Sequence, residues 1–273
     1  RHSQKDMNEL WETLSYLILG VLQGLTEFLP VSSSGHLALG TSVLQLPEED
    51  LTFSILVHGA TALSTIVVFR GDITLLIKNF LKEGGEGLKA RKYVGLIAIS
   101  AIPAAVIGLS MKETIESIAS YQFVGAMLII TAVILAVSQR VKPKSEKNLG
   151  VGNVIIVGLA QAMAILPGIS RSGSTIGAAL LLGISRAEAA KFSFLMALPP
   201  ILGANLLELK DLAESEPFMN NSHTPVFGYS IGVLAAFFAG IAACRWMIAL
   251  VKGANLMWFA VYCLIVGLFA LFL

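Results

Sequence analysis

Two polar stretches, set in otherwise apolar sequence, hold the residues whose types and spacing can do chemistry. The first runs from Gln23 through Glu27 and the Ser32-Ser33-Ser34-Gly35 run to His36. The second is Pro167-Gly168-Ile169-Ser170-Arg171-Ser172-Gly173-Ser174-Thr175. A serine hydroxyl becomes a nucleophile when a base stands beside it. Ser32 and Ser33 are the candidate nucleophiles, and His36, three residues past Ser33, shares a face with it if this stretch opens a helix. Glu27 can bind a divalent cation, or orient or deprotonate the imidazole. Gln23 precedes Glu27 by one helical turn and so lies on the same face, where its amide can donate or accept hydrogen bonds. In the second stretch, N–H groups at a helix start, several hydroxyls and the Arg171 guanidinium form a cradle suited to phosphate. For Ser34 and Ser174 a plainer role, letting helices approach closely, stands beside the functional one. Packing does not explain Arg171. A guanidinium in apolar surroundings needs an anion, and Glu27 or a substrate phosphate is the partner to expect.

The elements that must position these groups follow from composition. Of 273 residues, 55% are hydrophobic and only 14% charged, and the mean hydropathy is +0.77. A soluble domain carries about 25% charged residues, so a single anchored soluble domain is excluded and a polytopic helical membrane protein is expected. The net charge of +1 carries no information about partners. Cys244 and Cys263 lie in apolar stretches, with neither a disulfide framework nor metal-thiolate spacing. His58 and His223 read as structural histidines. Residues 1–6 read as a cloning remnant before Met7, leaving 7–273 as a single membrane domain.

Six stretches are apolar and long enough to cross a bilayer: 51–69, 94–110, 121–138, 189–207, 226–243 and 256–273. Two more regions, 14–46 and 151–184, are apolar but broken by Pro30 through His36 and by Pro167 through Gly173. Proline and glycine free backbone groups that lipid cannot satisfy, so each region is expected to be a re-entrant hairpin with its tip buried in protein or facing a wet cavity. The connections 70–93 and 139–150 are rich in Lys and Arg and read as cytoplasmic, whereas 208–224 is acidic and reads as external. Leu29-Pro30-Val31-Ser32-Ser33-Ser34-Gly35 matches Leu166 to Gly173 with one inserted residue, and Phe53-Ser54-Ile55-Leu56 matches Phe192-Ser193-Phe194-Leu195. One hairpin and three spans per half (about 7–138 and 151–273) make the second copy inverted, and paired broken segments point to a midplane site. The expected fold is thus all-α: six transmembrane helices and two re-entrant hairpins in an inverted-topology repeat. Gly228, Gly232, Ala236 and Gly240 recur at four-residue spacing and mark a close helix contact, within the chain or between two copies.

The run from Gly24 to His36, taken with Pro167 to Gly173, resembles the undecaprenyl-pyrophosphate phosphatases of the bacitracin-resistance (BacA-like) type, and the likeness extends from Met7 to the C-terminus. The resemblance implies a bacterial inner-membrane hydrolase that converts undecaprenyl pyrophosphate to undecaprenyl phosphate for wall synthesis. It also implies a site reached from the extracytoplasmic side, a divalent cation, Mg2+ or Ca2+, and a possible homodimer. Carried over by position, Ser33 is the nucleophile with Ser32 the alternative, and His36 is the general base or acid. Glu27 serves the metal or the imidazole, while Arg171 clamps the diphosphate with Ser170, Ser172 and Thr175 donating to it. Gln23 departs from the pattern, since many members carry Glu there; its carbonyl can still ligate a metal. The competing expectation is a transporter or flippase for a polyprenyl phosphate or another anion, an architecture that shares inverted repeats with broken helices. The Ser–His–Glu set discriminates, because transport does not require it.

Overall fold

The computed structural model describes residues 2–44, 46, 51–140, 148–214, 226–253 and 255–272, which are almost wholly helical. Lys142, Lys144 and Lys147 of one basic connection, and Glu216 and His223 of the acidic one, lie outside the described residues. In chain order the helices are α1 (His2–Phe28), α2 (Ser33–Val43), α3 (Leu51–Val68), α4 (Arg70–Phe80), α5 (Gly85–Ser110) and α6 (Lys112–Ser117). They continue as α7 (Tyr121–Arg140), α8 (Val151–Met163), α9 (Arg171–Leu181), α10 (Arg186–Glu214), α11 (Val226–Gly253) and α12 (Met257–Ala270).

Four helices are individually long and apolar enough to cross a membrane, over Gly85–Ser110, Tyr121–Arg140, Arg186–Asp211 and Val226–Gly253. A fifth span counts if Thr52–Val68 and Arg70–Phe80, bent by 71° at Phe69, are taken together. The protein is therefore a helical multi-pass membrane protein. The last expected span, 256–273, is a helix of only 14 residues. Elsewhere the helices outrun their apolar stretches: α5 starts nine residues before Val94, and α10 continues through the acidic Glu208 and Asp211. Hydropathy marks what lipid covers, whereas backbone hydrogen bonding carries a helix on into water.

Both broken regions break where expected. Pro30 stops α1, and Val31 turns back with its N–H on the Leu29 carbonyl at 2.8 Å. Gly168 sits at φ 98, a left-handed conformation that glycine tolerates, between α8 and α9. Each second helix then opens on a serine cap: the Ser32 hydroxyl accepts from the Gly35 N–H, and the Ser170 hydroxyl from the Gly173 N–H.

The packing follows small residues. α1 lies along α11, α5 along α8, and α12 along α7. A Cβ on Gly24 would stand 2.6 Å from the Ala236 carbonyl, one on Gly158 2.6 Å from the Ser100 carbonyl, and one on Gly125 2.7 Å from the Gly267 carbonyl. The stripe on α11 thus packs within the chain, against α1 and against Phe53 and Ser64 of α3. Gly232→Ala is expected to cost about 1–3 kcal/mol, the usual penalty of overpacking, because its Cβ would meet the Tyr16 carbonyl at 2.7 Å. Thermal unfolding of the detergent-solubilised protein checks this. Gly95→Ala, with nothing within 4 Å of the added carbon, serves as the harmless control.

Candidate active site

α1 and α8 deliver the two tips to one place. The Ser172 hydroxyl donates to the Leu29 carbonyl at 3.1 Å, directly from one tip to the other. A Cβ on Gly173 would be 3.2 Å from the Pro30 ring, and one on Gly35 3.5 Å from Gly168 Cα, so the two tips pass within side-chain contact of each other. Each tip is also tied to a surrounding helix. Thr131 of α7 donates to the Gly168 carbonyl at 3.2 Å and accepts from the Ser170 N–H at 3.0 Å. Cys263 of α12 lies 3.5 Å from the Pro30 carbonyl.

Glu27 is the centre of what these tips hold. It ends α1 with only 8% of its surface exposed, and both carboxylate oxygens are engaged. The Ser33 hydroxyl donates to Oε2 at 2.7 Å, and the Gln23 amide donates to the same oxygen at 3.1 Å. Arg171 Nη2 donates to Oε1 at 2.6 Å from the opposite tip. A buried carboxylate is tolerable only with such partners, since desolvating an unpaired charge costs several kcal/mol. Arg171 is thus paired with Glu27, one of the two partners expected for it. Its Nη1 is buried with no partner among the described residues, as is Gln23 Oε1. A guanidinium N–H and an amide carbonyl are therefore left over beside the carboxylate.

The serines divide into two groups. Ser33 is half-buried, next to the exposed Ser34, and faces the carboxylate. Ser32 is buried, caps α2, and holds φ 70, a rarely occupied conformation for a residue with a side chain. Its hydroxyl neighbours Gly35 N and Ser34 Oγ, each at 3.4 Å, so no base stands against it. On the second tip, Ser170, Ser172 and Thr175 are buried and direct their hydroxyls into the protein. Ser170 caps α9, Ser172 bonds Leu29, and Thr175 bonds the Arg171 carbonyl at 2.8 Å and the Ser193 hydroxyl. These three build the tip that aims Arg171. Ser174 Oγ is buried without a partner among the described residues.

His36 lies on α2 as expected, but neither ring nitrogen faces Ser33. Nδ1 is 2.8 Å from the Ser32 carbonyl, and Nε2 is 2.7 Å from the Tyr262 hydroxyl. Tyr262 escapes sequence reasoning because it stands alone in the apolar last helix. His58, read as structural, has Nδ1 on the Ser54 carbonyl at 2.8 Å and lies in the neighbourhood of Glu27. A second histidine one helix away from a buried carboxylate leaves no local signal in sequence.

The donor set bears on a metal. No cluster of three or more His, Cys, Asp or Glu side chains exists among the described residues. One carboxylate and the unpartnered Gln23 carbonyl are hard oxygen donors. They are the donor type that Mg2+ and Ca2+ prefer, and Mg2+ is commonly held by one or two carboxylates together with substrate phosphates.

Chemically, the arrangement sets a serine hydroxyl against a carboxylate that can take its proton, beside a guanidinium with a spare donor for an oxyanion. The comparisons with known proteins agree in kind. A family model described as bacitracin resistance protein BacA matches residues 16–269. The undecaprenyl-diphosphatase of Parabacteroides distasonis is 45% identical over 255 residues, 92% of this chain and 94% of that protein. That of Bacteroides fragilis is 44% identical over 259 residues, 94% of this chain and 96% of the relative. Undecaprenyl-diphosphatase 1 of Bacillus cereus is 38% identical over 271 residues, 97% and 99% of the two chains.

Proposed function

The chain belongs to the bacitracin resistance protein BacA family, and from that premise we infer that it hydrolyses undecaprenyl diphosphate to undecaprenyl phosphate and inorganic phosphate. The observation that carries this reading onto its residues is Ser33 donating to Glu27 at 2.7 Å while Arg171 holds the other carboxylate oxygen. We propose that Ser33 Oγ attacks the terminal phosphorus as Glu27 accepts its proton. The new Oγ–P bond forms as the bridging P–O bond breaks, and undecaprenyl phosphate leaves. Water then attacks the phosphoserine, the Ser33 Oγ–P bond breaks as Glu27 returns its proton to Ser33 Oγ, and inorganic phosphate departs with the protons of the water. Arg171 donates its spare Nη1–H to the phosphoryl oxygens, the charge neutralisation on which phosphoryl transfer chiefly depends. Glu27 and Gln23 Oε1 would hold Mg2+ or Ca2+. When bound, the cation neutralises diphosphate charge. The competing transport reading draws no support from the relatives named above.

The finer architecture belongs to the same proposal: six spans, two re-entrant hairpins, and halves related as an inverted repeat. Three observations support it. The α1–α11 seam has its counterpart in α8–α5. The two tips share the same serine cap three residues before a glycine N–H. The basic connections alternate with an acidic one, which supports a cytoplasmic Lys- and Arg-rich side.

Phosphate release from a polyprenyl diphosphate by the purified protein tests the reading. Hydrolysis is expected with Mg2+ or Ca2+, with a loss of tenfold or more in chelator that either ion reverses, roughly the leverage of one divalent charge on phosphoryl transfer. A well-folded protein that releases no phosphate under any of these conditions overturns it.

A further inference from the structure

The carbonyl of Ser32 can only accept a hydrogen bond, so at 2.8 Å the His36 Nδ1 carries the ring proton. In the neutral imidazole Nε2 is then bare, and at 2.7 Å the Tyr262 hydroxyl donates to it. The two rings lie nearly parallel, 13° apart, with centroids separated by 5.5 Å. Hydrogen bond and stack together fix both the tautomer and the ring plane. Each support is itself anchored. Ser32 stands at φ 70 just after the Pro30 turn. Tyr262 precedes Cys263, which touches the Pro30 carbonyl, on a helix clamped to α7 where Gly125 meets Gly267.

The consequence concerns how His36 reaches the reaction. Its ring is buried, one nitrogen is closed by backbone, and the other is closed by a hydroxyl that belongs to a side chain 43% exposed. Nothing in that arrangement brings the imidazole to Ser33, whose proton is directed at Glu27. We propose that Tyr262 is a positioning residue for the hydrolysis: its hydroxyl on Nε2 and its ring against the imidazole hold His36 as the Nδ1–H tautomer in one fixed orientation. The proposal rests on the phosphatase reading for its kinetic consequence, but not for its structural one.

The structural consequence is read without substrate by 15N NMR of the full-length, histidine-labelled protein in detergent. The chain has four histidines, and the His36 signals are those lost in His36→Gln. The expected result is Nδ1 protonated and Nε2 bare, with the Nε2 signal shifting in Tyr262→Phe, which keeps the ring and removes the hydroxyl. In phosphate release, Tyr262→Phe is expected to lower kcat roughly fivefold to tenfold, what one neutral hydrogen bond is worth, with KM within about twofold. It is expected to add nothing to His36→Ala, because the two residues act as one unit. An Nε2–H tautomer in the parent protein, a Tyr262→Phe enzyme with the parental kcat, or losses that add to those of His36→Ala each overturn the proposal. If the parent releases no phosphate at all, the nitrogen signature still decides whether Tyr262 holds the ring.

Discussion

Glu27→Gln is expected to lower phosphate release by a factor of about 10²–10⁴, the range a positioned base contributes. Glutamine keeps the shape and can still accept a hydrogen bond from Ser33, but it cannot take the proton. The geometry behind the expectation is specific, since Ser33 is the hydroxyl found on the carboxylate, at 2.7 Å, whereas Ser32 caps a helix. Ser33→Ala should therefore be at least as damaging, and the double variant no worse than Ser33→Ala alone, because nucleophile and base work as a unit. Ser32→Ala should instead act through stability, costing about 1 kcal/mol as a lost helix cap. Rates of phosphate release and thermal unfolding, measured on the same preparations, separate the two. A Glu27→Gln enzyme within a few-fold of the parent would move the base elsewhere, with His58 the next residue to test.

Arg171 carries the second large effect, and it divides by substitution. Arg171→Ala leaves the Glu27 carboxylate buried without its charged partner, and breaking such a pair from one side costs about 3–5 kcal/mol. Its expected outcome is a protein that unfolds at markedly lower temperature and is inactive. Arg171→Lys keeps the charge and a donor for Glu27, but lacks the second nitrogen that is free in the guanidinium. It is expected to unfold near the parental temperature and to lose about 10²–10³ in kcat, the cost of removing one donor from a developing oxyanion. Parental activity in Arg171→Lys would mean that the free Nη1 has no part in catalysis and that the arginine serves only to join the tips. Combining Glu27→Gln with Arg171→Ala should recover much of the stability and none of the activity, since both charges then leave together.

Much of this site is legible in the sequence, for local reasons. Gln23 and Glu27 are one turn apart on a helix, so their contact follows from the 3.6-residue period. Pro30 and Pro167-Gly168 mark the helix breaks by their residue types alone, whereas the serine caps that follow emerge only in the fold. Arg171 demands an anion wherever it sits, and Glu27 was among the few on offer. Rotamers and distant helices decide the rest. His36 and Ser33 do share α2, yet the imidazole turns to its own backbone and to a tyrosine 226 residues away. No periodicity carries that pairing. The hydroxyls of Ser170, Ser172 and Thr175 look equally available in sequence, and only packing against Leu29, Thr131 and Ser193 turns them inward. The short last helix was likewise hidden, because Leu271 and Phe272 are as apolar as the helix they follow.

That last helix, Met257–Ala270, has 14 residues and so is about 21 Å long at 1.5 Å per residue. The hydrocarbon layer beside it is about 30 Å thick. A helix that short spans only where the bilayer thins beside it, its flanking residues reach outward or it oligomerises, each at a cost of fractions of a kcal/mol per ångström. Tyr262 lies in the middle of this stretch, with its side chain partly outside the protein. Where the bilayer thins, a lipid head group on this flank would ride several ångströms deeper than in the surrounding bilayer. Such thinning would shorten the descent that a diphosphate head must make to reach a carboxylate buried among helices.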